Sequence, residues 1–540
     1  MDLNSQNEEK YLYIHKTPTW KVRILYFFGI ISWLFVIYSY AGLIGIDPFF
    51  TWYFLPILTV LSLYYLISWS INAFYKQFNL YNHQRLIKTY WAYHREPLVD
   101  IFLPICGEDI EVLRNTWWHV FNISYKNKKI YVLDDSSEEC EEHQQLANLF
   151  GFNYFSRPNK GENKKAGNLK YAYERTNGEF IAIFDADFAP HKDFLIEALP
   201  YTNNYNVGIV QTPQYFETNE KLYKSSSLAY AAAYQEEFFY RIIQVARNRF
   251  DAPICCGSNS IFRRRALMTI GGFRQVTASE DSRTGFALLC KGWIIRYIPV
   301  ILATGMCPTN VYAYYHQQHR WCRGRSELTL SREFIFAPIS FIKKLCYTSG
   351  FLMFLIRPLK LFISFHLFWI LFIYNDTISL SNSFIFYLYL LFVFILDPLF
   401  HIAKFKKENF LVAMIKIYSS THAIISVLMR KTVSWIPTNA KHKKVSHAFI
   451  QTTNLVGLYL FLYVTLILLA IRTGDLHLLN YDYFSIQFWI FWNILLTIVL
   501  FVQFLNVIKS MKYSKNDNSF SNQYKRINLL PKLDLDIASY

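Results

Sequence analysis

Charged residues are scarce in this chain of 540 residues, at 17%, whereas 53% of the residues are hydrophobic and 19% are aromatic. A soluble globular protein has about 25% charged residues, so the composition argues against one and indicates a membrane protein. The formal net charge is +16. Because the basic residues cluster beside apolar segments, where anionic lipid headgroups would attract them, they argue against nucleic-acid binding.

Cysteines are also few, and a cleavable signal is lacking. The eight cysteines are scattered without paired metal-ligand spacing, which argues against a disulfide framework or a zinc site and for reduced thiols in a cytoplasmic domain. The N-terminus is polar, and Lys21 and Arg23 lead directly into a long apolar stretch. We therefore expect that stretch to stay in the membrane.

Long apolar runs occur in three pairs, each run being long enough for a bilayer-spanning helix of about 20 residues. Lys76, Arg85 and Lys88 follow the second run, so the positive-inside rule places the N-terminus and the next block in the cytoplasm. An apolar stretch at 410–429, interrupted by Lys416 and His422, predicts a helix on the inner surface. The six predicted spans cover residues 22–45, 49–71, 358–374, 384–402, 448–471 and 484–507.

These runs divide the chain into four predicted parts. Residues 1–75 are an N-terminal segment and a transmembrane hairpin, and residues 76–345 are a cytoplasmic domain. Residues 346–508 contain interface helices and four spans, and residues 509–540 form a cytoplasmic polar tail. Both termini are then inside.

The cytoplasmic block has an alternating β/α order. Short apolar runs at 99–103, 130–133 and 180–184 predict buried parallel strands, and polar stretches at 111–121 and 138–150 are long enough for crossover helices. Ligands of such sheets bind beyond the carboxyl ends of the strands. Acidic residues occupy those ends here.

Two acidic pairs follow predicted strands. Asp185 and Asp187 come after one strand, and in extended chain both carboxylates would point to the same side. Together with a substrate diphosphate they suit Mg²⁺ or Mn²⁺. Asp134 and Asp135 end the preceding strand, where a carboxylate can accept a hydrogen bond from a base such as uracil or can cap a helix.

Two further segments carry candidate substrate ligands and a base. Lys165 lies in a loop with Gly167, where it either faces phosphates or is simply solvated. Glu280 and Asp281 begin a helix-like run, as acids often do. Asp281 could also act as a general base that removes the proton from an attacking hydroxyl, and one such base suffices for a displacement with inversion.

An aromatic and basic motif completes the set. Gln317, Arg320 and Trp321 have spacings of three and four, which places Gln317 beside the other two on a helix. Arg320 could hold a leaving diphosphate, and the indole of Trp321 could stack on a sugar ring. Interfacial Trp and Arg residues near a membrane are the plain alternative.

Read together, these motifs resemble the processive family 2 glycosyltransferases, the group of cellulose, chitin and hyaluronan synthases, and among them bacterial cellulose synthase catalytic subunits. The family signatures D, DxD, TED and QxxRW match Asp135, 185–187, 279–281 and 317–321. Further matches are 165–168, 210–213 and 255–258. Ser279 stands where the family has Thr.

The resemblance implies a fold, a reaction and partners. It implies an α/β glycosyltransferase A-type cytoplasmic domain inserted in an α-helical transmembrane domain of about six spans, in a bacterial inner membrane. It implies that Asp135 holds the uracil of a UDP-sugar, Asp187 the metal, Asp281 the acceptor hydroxyl and Trp321 the chain end, with Cys256 beside the acceptor sugar. The acceptor would be a growing β-linked polysaccharide, and accessory export subunits would be partners.

Two departures from the family are visible. The gating loop, written FxVT in the family, matches residues 432–438 only loosely. The tail after Lys509 is too short for a cyclic-di-GMP-binding PilZ domain, so direct activation by that nucleotide is not expected.

The sequence thus predicts an inverting, metal-dependent hexosyltransferase that polymerises sugar from a UDP-sugar, UDP-glucose foremost, and exports the product. Two alternatives remain open at this point. One is a transferase that adds a single sugar to a lipid acceptor. The other is a transporter or scaffold with an inactive transferase domain, against which the intact carboxylates argue.

Overall fold

The computed structural model describes residues 9–44, 48–136, 140–217, 227–276, 278–308, 311–373, 399–406 and 408–431. The predicted spans at 448–471 and 484–507, most of the span at 384–402, the segment at 432–438 and the tail at 509–540 lie outside these residues.

Two long apolar helices form the predicted N-terminal hairpin. After the short helix α1 (Leu12–His15), helix α2 covers Thr19–Ile44 and α3 covers Pro48–Ala73. Among the described residues these two are long and apolar enough to cross a membrane, by length and composition alone. They pack on each other, with Trp33 and Tyr65 in tilted ring contact at 4.5 Å between centroids. The first predicted pair of spans is therefore present as helices.

A mixed seven-stranded sheet forms the core of the next domain, in the order β3-β2-β1-β4-β8-β6-β9. Strands β1, β2, β3 and β4 are parallel neighbours, β8 runs antiparallel to β4 and β6, and β9 is parallel to β6. A second sheet has the order β5-β10-β7. The strands are β1 Val99–Ile105, β2 Lys128–Asp134, β3 Asn153–Ser156, β4 Phe180–Ile183, β5 Phe188–Pro190, β6 Val207–Gln211, β7 Tyr215–Phe216, β8 Ser260–Arg263, β9 Ile294–Tyr297 and β10 Ala303–Gly305.

Helices connect and cover this sheet. They are α4 Leu80–Tyr93, α5 Ile110–Phe121, α6 Glu141–Leu149, α7 Lys164–Tyr173, α8 Phe194–Ala198, α9 Ser227–Phe238, α10 Gln244–Asn248, α11 Arg264–Met268 and α12 Glu280–Cys290. A 3₁₀ turn covers Leu199–Asn203 and a π-helical turn covers Phe239–Ile243.

The predicted strands and crossover helices are confirmed. The three apolar runs are β1, β2 and β4, and every residue of β1 and β4 is buried. Such runs have no alternation because helices cover both faces of the sheet. The two predicted crossovers are α5 and α6. The carboxyl ends of the parallel strands lie side by side, with Ile105 paired with Asp134.

Four more helices adjoin this domain: α13 Val311–Thr329, α14 Arg332–Ile335, α15 Phe341–Ile373 and α16 Glu408–Leu428. Helix α15 covers residues 358–373 of the span predicted at 358–374, and it begins 17 residues earlier, at Phe341. Cys346 in its first turns packs on Ile71 of the hairpin, and Ile356 packs in the cluster of Trp33. The prediction began this helix too late, because Arg357 and Lys343 interrupt the apolar run.

Helix α16 matches the helix predicted at 410–429 within two residues at its start. It packs on α13 and α9 and buries Val412, Ile415 and Tyr418. Lys416, which seemed to interrupt an apolar run, lies 2.9 Å from the carboxylate of buried Glu236 on α9. One face of this helix therefore packs on the α/β domain. Ile425 and Leu428, on another part of its surface, are exposed.

Candidate active site

A cavity of about 220 Å³ opens at the carboxyl ends of the central strands. Residues from the four signatures D, DxD, TED and QxxRW line it, although they are up to 186 positions apart in the chain, from Asp135 to Trp321. The predicted residues on its wall are Asp135, Lys165, Asp185, Asp187, Cys256, Glu280, Asp281, Gln317, Arg320 and Trp321.

Asp134 is the exception, because it does not line this cavity. Its side chain is 2% exposed, and it accepts hydrogen bonds from Ser136, from Tyr154 at 2.5 Å and from His143 at 3.3 Å. Burial would raise the pKa of Asp134, but the hydrogen bonds from His143, Ser136 and Tyr154 outweigh it and lower the pKa to about 2. Asp134 therefore supports the loop after β2, and its assignment as a substrate ligand is corrected.

Asp135 lines the cavity and is held by a residue that sequence reasoning missed. Arg157 donates two hydrogen bonds to its carboxylate, at 2.7 and 2.8 Å, and the N–H of Gly161 donates a third at 3.0 Å. The two side chains are 1% and 4% exposed. Arg157 directly follows the short strand β3, at the same sheet edge as Asp135. A prediction of that strand would have indicated that Arg157 lies near the site.

Gly167 allows other groups to approach its backbone closely, as predicted. The groups that do so are the Arg157 side chain and the carbonyl of Glu162. A Cβ built at this glycine would overlap both. The glycine therefore leaves room for the guanidinium that orients Asp135.

The Asp185–Asp187 segment is a turn and not extended chain. The N–H of Phe188 donates to the carbonyl of Asp185 at 3.1 Å, and the N–H of Asp185 donates to the hydroxyl of buried Ser258 at 2.9 Å. The reasoning from a period of two was wrong here. Both carboxylates nevertheless line the cavity, because the turn brings them around Ala186.

Lys165 forms an ion pair with Asp185. Burial opposes its charge, but Asp185 and Glu280 raise the pKa of Lys165 above its usual value. Burial and then the charge of Asp185 raise the pKa of Asp187 to about 7, and the charge of Lys165 opposes this rise only in part. Asp187 is therefore a desolvated carboxyl group beside a second carboxylate.

Glu280 and Asp281 begin α12 and enter the cavity side by side. Burial and the adjacent Asp281 raise the pKa of Glu280 to about 7, and burial raises that of Asp281. A Cβ at Gly257, whose φ is +80°, would come within 3.1 Å of an Asp281 carboxylate oxygen. The missing side chain at Gly257 leaves that face of the carboxylate open.

Helix α13 contributes Gln317, Arg320 and Trp321 to the cavity wall, and the predicted helix is confirmed. Burial lowers the pKa of Arg320 to about 10, while Glu280 and Asp185 act in the other direction. Within the described part of the chain, the buried Oε1 of Gln317 accepts no hydrogen bond. Trp321 packs beside Phe354 of α15 and Ile424 of α16.

Hydrogen bonds between the backbone of Cys256 and two glutamine side chains hold this residue in place. Its N–H donates to Gln211 at 2.8 Å, and its carbonyl accepts from Gln214 at 3.1 Å. Burial raises the pKa of its thiol to about 12, which argues against a thiolate nucleophile. Cys256 is thus a wall residue, next to Gly257.

The acidic groups fit a divalent cation. Asp187 has a raised pKa because two carboxylates lie in one desolvated pocket, and a cation there would lower it. No cluster of three or more His, Cys, Asp or Glu ligands occurs among the described residues. The protein would therefore supply one or two carboxylates, as is usual for Mg²⁺ or Mn²⁺ bound with a diphosphate.

Comparison with known proteins agrees with this geometry. Residues 100–271, from β1 to the turn after α11, match the family described as glycosyl transferase family 2. This part of the chain is therefore similar to the family 2 glycosyltransferases. With the mixed sheet described above, the match supports the A-type α/β fold for that domain.

Curated proteins that are similar to this chain include cellulose synthases. The chain is 31% identical over 258 residues to the cellulose synthase 1 catalytic subunit (UDP-forming) of Komagataeibacter xylinus, covering 47% of this chain and 34% of that one. It is 28% identical over 295 residues to the cellulose synthase catalytic subunit (UDP-forming) of Xanthomonas axonopodis pv. citri, covering 54% and 38%. The chain thus matches less than half the length of these relatives.

Solved structures with some likeness include a mannosyltransferase from Pyrobaculum calidifontis in complex with GDP-Man and Mn²⁺. Its TM-score is 0.49 with 16% identity, covering 70% of this chain and 99% of that one. A second is S. aureus TarS 1-349, with a TM-score of 0.32 and 11% identity, covering 62% and 93%.

Proposed function

We propose that this protein is a membrane-embedded, inverting glycosyltransferase that polymerises sugar from a UDP-sugar, UDP-glucose foremost, into a β-linked polysaccharide and exports it. The observation that carries the proposal is the convergence of Asp135, the 185–187 turn, Asp281 and the 317–321 motif on one cavity. The names of the cellulose synthase relatives supply the donor and polymer class.

The donor half of the cavity holds the nucleotide in this proposal. Asp135, oriented by Arg157, accepts a hydrogen bond from the uracil N–H. Lys165 and Arg320 face the diphosphate, where two cations from opposite walls would neutralise the leaving group. Asp187, with Asp185, would hold Mg²⁺ or Mn²⁺, which when bound stabilises the negative charge that develops on the diphosphate.

The acceptor half carries out the proton transfer. The acceptor hydroxyl oxygen attacks the anomeric carbon, the bond from that carbon to the diphosphate oxygen breaks, and UDP leaves with the bonding electrons. The hydroxyl proton passes to the Asp281 carboxylate. A single displacement inverts the anomeric centre. The raised pKa of Asp281 makes it a stronger base than an exposed aspartate.

The position of Trp321 supports a polymer acceptor. Its indole offers a flat surface for a terminal sugar, and it packs where α13 contacts α15 and α16. A chain end stacked there would face the helices that adjoin the apolar hairpin. That arrangement supports export through the membrane domain. The proposal places the catalytic domain on the cytoplasmic side because Lys76, Arg85 and Lys88 follow the second apolar run.

Purified full-length protein in detergent or nanodiscs provides the test. A panel of UDP-sugars is assayed for UDP release with Mg²⁺ or Mn²⁺, and radiolabelled product is sized. We expect UDP-glucose to give a long, β-glucanase-sensitive polymer. Short, organic-soluble product would instead support single transfer to a lipid, and no transfer with any donor would refute the proposed function.

The Asp281→Asn variant is the matched negative control, since it keeps the size of the side chain and removes the base. It should bind UDP with the same affinity as the wild type. It should form UDP from the UDP-sugar far more slowly. Undiminished transfer would refute Asp281 as the base.

A further inference from the structure

Gly324 lies inside helix α13, three residues after Trp321. A glycine in a helix interior costs about 1 kcal/mol relative to alanine, so its presence there requires a packing reason. Gly324 is buried, and its φ is not in the left-handed region. The reason is therefore a close neighbour and not the backbone conformation.

That neighbour is Ser279. A Cβ built on Gly324 would lie closer than 3.0 Å to both the Oγ and the Cβ of Ser279, and 3.5 Å from its Cα. Rotation of the Ser279 side chain could move the Oγ but not the Cβ. Any residue larger than glycine at 324 would therefore push the two backbones apart.

Ser279 is the residue immediately before α12, which begins with Glu280 and Asp281. Its own φ is +53°, a left-handed conformation, so its backbone is fixed in an uncommon state at the start of that helix. A second link joins the same elements, since Arg283 of α12 lies 3.9 Å from Glu327 of α13. Helices α12 and α13 thus meet at the cavity through Ser279 and Gly324.

We propose that the contact between Gly324 and Ser279 is a positioning element that sets the distance between the acceptor-binding helix and the base. This inference rests on the proposed function, because it assigns Asp281 and Trp321 the roles given above. Gly324 touches no substrate. It acts by letting α13, with Gln317, Arg320 and Trp321, approach the carboxylates of α12.

The first test is the Gly324→Ala variant of the full-length protein. Relieving the overlap requires a separation of the order of 1 Å between the helices, and a misplacement of that size costs about 100-fold in rate. We expect kcat to fall about 100-fold. Alanine favours the helix itself, so a loss of activity would not arise from helix propensity.

The second test is rescue by the double variant Ser279→Gly/Gly324→Ala. Removing the Ser279 side chain opens the space for the new methyl group, and glycine also suits the left-handed φ at 279. We expect the double variant to recover kcat to within about threefold of Ser279→Gly alone. A role of Gly324 in stability only would lower the melting temperature of Gly324→Ala and leave the kcat of the folded enzyme near that of the wild type.

Gly350→Ala is the matched control. Gly350 is also a helical glycine, on α15, but its Cβ would be 3.3 Å or more from its neighbours, which are flexible arginine side chains. We expect its kcat to stay within threefold of the wild type.

The outcomes are decisive. A Gly324→Ala enzyme with kcat near wild type, or a double variant that is folded but as slow as Gly324→Ala, would overturn the positioning role. If Gly324→Ala alone does not fold, a folded and active double variant still supports the proposal, and an unfolded one overturns it. If the wild type transfers no sugar, the proposed function and the positioning role both fail, while recovery of melting temperature in the double variant still tests the packing contact.

Discussion

The buried ion pair between Arg157 and Asp135 allows the sharpest stability prediction. The Arg157→Met variant keeps much of the side-chain volume and removes the charge, which leaves the Asp135 carboxylate with only the Gly161 N–H as a described hydrogen-bond partner. Both side chains are almost fully buried. Removing one partner of a buried pair costs about 3–5 kcal/mol, because an uncompensated charge stays buried.

The expected shift in melting temperature follows from that cost. A domain of about 150–250 residues loses about 2–4 °C per kcal/mol, so Arg157→Met should unfold about 6–20 °C lower than the wild type. The measurement is tryptophan fluorescence of the purified full-length protein during heating, at one fixed scan rate because unfolding of such proteins is often irreversible.

Two comparisons decide whether the buried pair is the cause. Arg175→Met removes an exposed arginine that is 3.9 Å from Glu174, and it should cost less than about 1 kcal/mol. The double variant Arg157→Met/Asp135→Asn removes both charges and should be more stable than Arg157→Met. A shift for Arg157→Met no larger than for Arg175→Met, or a double variant no more stable than the single one, would refute the reasoning.

Further predictions concern the base, pH, the metal and the α16 contact. Asp281→Asn should lower kcat by about 10²–10⁴-fold and leave the Kd of UDP, measured by calorimetry, within twofold; equal kcat would contradict the assignment. Only ionised Asp281 accepts a proton, and burial raises its pKa, so on acidification kcat/KM should begin to fall at a pH above the usual aspartate range of about 4; a profile that stays flat down to about pH 4 would exclude the raised pKa. Excess EDTA should abolish transfer, with recovery on adding Mg²⁺ or Mn²⁺, and persistent transfer would argue against a metal. Lys416→Met leaves buried Glu236 without its cation and should lower the melting temperature more than Lys416→Met/Glu236→Gln, whereas equal shifts would indicate that the pair contributes little.

Local sequence patterns were sufficient to predict several of the strands and helices around the site. Continuous apolar runs predicted β1, β2 and β4, because strands covered on both faces have no polar side. Spacings of three and four predicted that Gln317, Arg320 and Trp321 share a helix. The same patterns failed at Asp185–Asp187, since a hydrogen bond across a turn replaces the extended chain there.

The sequence by itself predicted the kind of protein. Its few charges and apolar runs predicted membrane spans, two of which are present as apolar helices among the described residues. Its ordered acidic motifs carry the resemblance to family 2 glycosyltransferases, which residues 100–271 match. Each of these patterns depends only on residues that are close along the chain, so each could be recognised without knowledge of the tertiary structure.

Only the tertiary structure decided which residue of the pair at 134–135 faces the cavity. Asp134 and Asp135 are equivalent in sequence, yet one is enclosed by His143 and Tyr154 and the other faces the site with Arg157. The contact of Gly324 with Ser279 joins positions 45 residues apart. The physical reason is that hydrogen-bond partners, desolvation and close packing depend on which distant segments meet, and the sheet topology and helix docking set those meetings.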